Sequence, residues 1–163
     1  MQLSRDAIGR AVVDEIGEGA LDGAPATFLG SIVTGVALAV GESEVRYMGA
    51  SAVLSDDVIG VRVGAFTDGT VATVEAAYSL QSGTANVTTR VHRRGDLDRL
   101  EVIGGTPSLG VDDNADWPGR FTVRASYRDG LELTIPMSEA NTPQKRSSVW
   151  TILSALREDL AKR

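Results

Sequence analysis

The chain has no cysteine, which excludes thiol catalysis, thiolate metal sites and disulfides. Histidine occurs once, at His92, so a zinc site built from clustered His and Cys is excluded too. No apolar run reaches the ~20 residues that cross a bilayer as a helix. The longest, Ala26–Val40, has 15 residues and is interrupted by Gly30, Thr34 and Gly35. Positive charge is also in short supply. The 16 Lys and Arg against 22 Asp and Glu give a formal charge of −6. That balance disfavours nucleic acid, because phosphate repels an acidic surface unless a basic patch is well segregated.

Two motifs begin and fail. Gly30 and Gly35 have the spacing of a phosphate-binding loop, but Val36 and Ala37 stand where Lys and Ser or Thr must follow. Asp112, Asn114 and Asp116 alternate like the start of a calcium loop, but its sixth and twelfth positions are Trp117 and Val123 rather than Gly and Glu. No metal and no cofactor is expected. The N-terminus carries Arg5, Asp6, Arg10, Asp14 and Glu15 where a secretory signal needs an apolar core. The expectation is cytoplasmic residence without a transmembrane segment.

What is present reads as a globular, mostly β protein. At 163 residues the chain is expected to form a single domain. A domain of this size buries roughly 70% of its unfolded surface without staples. Ser4 caps a helix over 4–16, with Ile8, Ala11, Val12 and Ile16 as its apolar stripe and Gly17 as its stop. Residues 26–40 fit both a period of two and a period of 3.6. Their β-branched content favours a strand. From residue 45 the pattern predicts about seven strands. Ser55-Asp56-Asp57, Asp68-Gly69, Ser82-Gly83, Arg94-Gly95-Asp96 and Asp129-Gly130 are the turns, and the Asp-Gly pairs suit tight hairpins. Residues 85–92 and 97–103 are expected to form one hairpin. Residues 104–118 form the one long loop. Thr142 then caps a C-terminal amphipathic helix with Pro143 at its first position. Val149, Ile152, Leu153, Leu156 and Leu160 form its apolar stripe, which should dock on the sheet. The predicted class is α+β, mostly antiparallel β, as a sandwich or partial barrel with a helix packed from each end. Residues 1–44 supply the N-terminal helix and apolar segment, and 45–163 the β core and last helix.

Seven strands followed by an amphipathic helix bearing Trp150, in the run SSVWTILSALREDL, resemble the pleckstrin-homology-like superfamily. The resemblance covers about residues 45–162. It implies two antiparallel sheets forming a partial barrel, with the helix plugging one corner. Phosphoinositide-binding members carry Lys and Arg around the first hairpin. Here Asp56 and Asp57 stand there, so the resemblance implies a scaffold for protein or peptide rather than a membrane-lipid site.

The candidate binding residues cluster in TTRVHRRGDLDRLEV. Arg90, His92, Arg93, Arg94 and Arg99 reverse the local charge of an acidic chain and offer forked donors to a carboxylate, a phosphate or an acidic partner. The alternative is a hairpin whose Arg and Asp pair with each other across strands. Arg94-Gly95-Asp96 also spells an adhesion tripeptide, though Gly-Asp is ordinary turn chemistry. Trp117, in the long loop, is the remaining candidate, as an interface anchor or a core residue. His92 as a general base needs a partner such as Glu75 or Glu101, and no nucleophile motif accompanies it. No catalytic residue is assigned. The expected function is a non-catalytic interaction module, binding a protein partner or a second copy. The alternative is a small-ligand or lipid carrier, in which Gly60, Gly64, Ala72 and Ala76 leave room in a curved sheet.

Overall fold

A computed structural model describes residues 4–105, 121–138 and 142–162. The chain forms two compact units, Met1–Arg93 and Arg94–Arg163. The expected α+β class is present, with helices near both ends. Among the described residues, seven antiparallel strands divide into a four-stranded and a three-stranded sheet, and neither closes into a barrel.

The first unit begins with α1, Arg5–Ile16. Ser4 accepts from the Ala7 N–H at its start, and Gly17 ends it at φ 89°. Residues 26–40, expected as a strand, form α2, Ala26–Val40. The period of 3.6 wins because Phe28, Ile32, Val36 and Val40 fall on one buried stripe, whereas Leu38, inward under period two, is 77% exposed. Burying such side chains contributes ~1.5–3 kcal/mol each, more than the few tenths per residue by which β-branching disfavours a helix. Gly41, at φ 56°, ends the helix.

The sheet runs in sequence order, with β1 Tyr47–Ser55, β2 Val58–Phe66, β3 Thr70–Ser79 and β4 Ala85–Arg93. One face carries Ala50, Ile59, Val61, Val63, Ala65, Ala72, Val74 and Ala76 into a core shared with α1 and α2. Helix α1 packs on β1, and α2 lies across β3 and β4. Helix α2 comes close at Gly35, where an added Cβ would stand 2.5 Å from Thr89 Oγ1 and 3.4 Å from Val74 Cγ2. A glycine in mid-helix is explained by that approach.

The turn between β1 and β2 is the two residues Asp56 and Asp57, both at positive φ (49° and 60°), as a twist-matched hairpin requires. Asp68-Gly69 also closes a tight hairpin, but neither residue takes positive φ. Thr67 Oγ1 instead accepts from the Gly69 and Thr70 N–H groups. Arg46 grips Asp68 from outside with two bonds of 2.8 and 3.0 Å.

The second unit holds β5 Leu97–Gly105, β6 Phe121–Tyr127, β7 Glu132–Ile135 and α3 Pro143–Ala161. The strands pair in the order β5-β6-β7. On β6, Val123, Ala125 and Tyr127 are buried and Arg124 is exposed, as its alternation predicts. Thr142 accepts from the Lys145 N–H and Pro143 opens α3, also as predicted. Val149, Ile152, Leu153 and Leu156 are buried, and α3 packs on β5. Trp150 meets Phe121 edge-on at 6.2 Å.

The hairpin expected from residues 85–103 does not form. Strand β4 pairs with β3, and β5 pairs with β6 in the other sheet. Arg94–Asp96 is one turn of 3₁₀ helix rather than a hairpin turn. The Arg94 guanidinium is buried there against Asp159 of α3 (2.6 Å), an anchor that residues local to the turn do not disclose.

Candidate functional site

Strand β4 reads ANVTTRVHR, nine residues with two Arg, one His and no acid. It has no proline, and it pairs with β3 along its length without a shift of register. Among the described residues, β3 is its sole strand neighbour. Ser79 N donates to Thr84 O at 2.9 Å, which marks that pair as hydrogen-bonded. Alternation along an antiparallel ladder then turns the backbone groups of residues 86, 88, 90 and 92 toward β3. Those of Ala85, Val87, Thr89, Val91 and Arg93 point away from the sheet. Ala85, Thr89, Val91 and Arg93 are exposed, Val91 by 53%. The strand is therefore a regular, accessible edge.

The two faces of this edge differ. Val87, Thr89, Val91 and Arg93 share the side on which α2 packs. Asn86, Thr88, Arg90 and His92 share the other side, as strand alternation requires. Neither face of β4 is buried as a whole, because an edge strand has a neighbour on one side alone. On the side away from α2, charges cross three strands. Glu75 of β3 lies 3.6 Å from Arg62 Nε of β2 and 3.0 Å from an Arg90 nitrogen of β4. All three side chains are substantially exposed. Two guanidinium groups share that one carboxylate. Exposed pairs contribute about 0–1 kcal/mol each, so Arg90 exchanges its partner at little cost.

His92 Nε2 lies 3.5 Å from Thr73 Oγ1, a side chain that is 2% exposed. Of the two carboxylates that could serve His92, Glu75 is paired with the two arginines and Glu101 lies on β5 in the other unit. Arg93 is exposed at the end of the edge and makes no ion pair among the described residues.

The other predicted residues lie elsewhere. Arg94 is buried in the second unit with its guanidinium on Asp159, so the adhesion tripeptide does not present its arginine to solvent. Arg99 lies on β5, 3.6 Å from Glu101, which Arg124 of β6 approaches at 3.4 Å. Trp117 lies outside the described residues, as do Asp112, Asn114 and Asp116. Arginines adjacent in sequence are thus divided between two units. Arg90, His92 and Arg93 stay together on one strand.

Arg62 and Thr73 are the members that sequence reasoning missed. A signal for Arg62 exists. A hairpin closing at Asp68-Gly69 sets Arg62 opposite Glu75, and the next turn sets Thr88 opposite Glu75 with Arg90 one step along the diagonal.

Among the described residues, no group of three or more His, Asp or Glu side chains is placed to hold a metal ion. Among the same residues, no helix is long and apolar enough to cross a membrane. No protein-family model and no curated protein matches this chain.

Proposed function

We propose that this protein is a non-catalytic interaction module that binds a protein partner, or a second copy of itself, along the outer edge of β4. The observation that carries this reading is the edge itself, nine residues in regular register, accessible and free of acid and proline. Unpaired backbone groups on such an edge are a template for another strand. The pleckstrin-homology-like resemblance supports the same role. Two antiparallel sheets are followed by a helix carrying Trp150. In that family, a fold without a basic first hairpin serves as a scaffold for protein or peptide. The reading assigns the module to the cytoplasm. The ligand-carrier alternative gains less support, since Ala72 and Ala76, two of its four small residues, are buried in the core on the face where α2 packs.

The test uses proline at each edge of the four-stranded sheet. Val91→Pro removes an N–H that points away from β3, so the internal ladder survives. Leu54→Pro does the same at the β1 edge, where Leu54 is 67% exposed. Self-association is measured by sedimentation, and partner retention by capture from lysate, for the wild type and both variants. The expected result is association by the wild type and by Leu54→Pro, lost in a folded Val91→Pro. Association unaffected by Val91→Pro overturns the assignment to β4.

A further inference from the structure

The chemistry of the β4 edge is specific enough to describe its occupant. We propose that it accepts an extended peptide segment in which apolar residues alternate with acidic ones, added as a fifth strand. This rests on β4 being the docking edge.

An added strand hydrogen-bonds to the outward backbone groups of Ala85, Val87, Thr89, Val91 and Arg93. Its side chains then alternate between the two faces of the sheet with period two. Those on the α2 side fall beside Val87, Thr89 and Val91, of which Val91 is 53% exposed. Apolar or β-branched residues suit that row, because cross-strand pairs of this kind stabilise a sheet. Those on the opposite side fall beside Asn86, Thr88, Arg90 and His92. Arg90 is exposed there, and Arg62 lies behind it across Glu75. A carboxylate in that row gives the exposed Arg90 a second partner. A Lys or Arg in the same row meets like charge. Strand β4 contributes no acid of its own, and Arg93, on the α2 side, ends the edge with one more cation.

The charge pattern therefore selects one composition from the many that could add a strand. The choice is made by one face of the edge alone, and that is what makes it testable. A second copy adding its own β4 would bring two more arginines and no carboxylate, so it does not supply the acid that Arg90 pairs with.

The test uses three synthetic eight-residue peptides in which valine or threonine alternates with glutamate, glutamine or lysine. Binding to the full chain is followed by NMR amide shifts and by hydrogen exchange. Wild type is compared with Arg90→Glu and with the milder Arg90→Gln, both checked for an unchanged circular dichroism spectrum. The glutamate peptide is expected to protect the amides of Val87, Thr89 and Val91. It should bind about three- to tenfold tighter than the glutamine peptide, the effect of one or two exposed ion pairs. Raised salt narrows that gap, Arg90→Gln removes most of it, and Arg90→Glu transfers the preference to the lysine peptide. Equal binding of all three peptides at β4 overturns the acidic specificity while leaving the docking edge standing. Protection of another strand, or no binding by the glutamate peptide, overturns this proposal. The proline variants test the docking edge separately.

Discussion

Asp159 receives Arg94 through two bonds, Nε to Oδ2 at 2.6 Å and Nη2 to Oδ1 at 3.2 Å. Both side chains are about nine-tenths buried. The carboxylate sits in the last turn of α3, where the unpaired carbonyls already carry partial negative charge. Without the guanidinium it would be a buried anion at the unfavourable end of a helix. The same bond holds the 3₁₀ turn at Arg94–Asp96, from which β5 starts. Removing one partner of a buried pair leaves the other uncompensated and costs about 3–5 kcal/mol. Arg94→Ala and Asp159→Ala are each expected to lower the urea midpoint by that equivalent. Arg94→Met combined with Asp159→Leu should recover most of it, since two apolar groups leave no charge stranded.

Gly35 and Gly30 occupy the same helix and are expected to respond oppositely to alanine. At Gly30 an added methyl meets nothing within 4 Å, so Gly30→Ala should gain up to ~1 kcal/mol of helix propensity. At Gly35 it meets Thr89 Oγ1 at 2.5 Å, on a β-branched side chain that is stiff about χ1. Overpacking of that kind costs ~1–3 kcal/mol, so Gly35→Ala should be destabilising by about 1 kcal/mol net. In a Thr89→Ala background the nearest remaining contact is Val74 at 3.4 Å, and the sign should reverse. Chemical denaturation of the wild type, the two single variants and the double variant closes that cycle.

Residues 26–40 show where local pattern stops deciding structure. Phe28, Ile32 and Val36 satisfy a strand and a helix equally, and what separates the two is a sheet that the segment packs against, formed by residues 47–93. The ends of the chain were legible because their signals are local. Ser4, Gly17, Thr142 and Pro143 act within one turn of their own helices. The strands of the first sheet were legible for a similar reason, since each is joined to the next by a short turn. The partition of β4 from β5 was not legible. One contact at that break, Arg94 to Asp159, joins residues 65 apart in sequence, which no local pattern discloses. For the same reason, Arg90 and Arg94 looked equivalent in sequence, yet one is exposed on an edge and the other is buried.

Asp56 and Asp57 both hold positive φ, a region that costs an L-residue roughly 1–2 kcal/mol, less for Asp. Glycine relieves that strain but loses more entropy on folding. The balance favours Asp57→Gly by about 0.5–1 kcal/mol, and Asp57→Val should lose at least as much. The Asp57 carbonyl that accepts from Leu80 N at 2.8 Å is backbone and is retained in both variants. Thermal midpoints read by circular dichroism should therefore rank Gly above Asp above Val.

Tyr127 is 4% exposed, and its hydroxyl has no hydrogen-bond partner among the described residues. Burial raises its ionisation well above the ordinary phenol range, the nearby Asp159 carboxylate adds to the effect, and Arg94 partly opposes it. In the unfolded chain the phenol ionises near its usual value of about 10. Above that pH the unfolded state has released a proton that the folded state still holds, so stability falls as pH rises past the unfolded value. The contribution is fully present at neutral pH and is lost on the alkaline side. Tyr127→Phe removes the titrating group and the unsatisfied hydroxyl together. It should be neutral or stabilising by about 1 kcal/mol at pH 7. It should also flatten the decline in stability between pH 9 and pH 11, measured by urea denaturation across that range. A decline as steep in Tyr127→Phe as in the wild type would assign the alkaline loss to other groups.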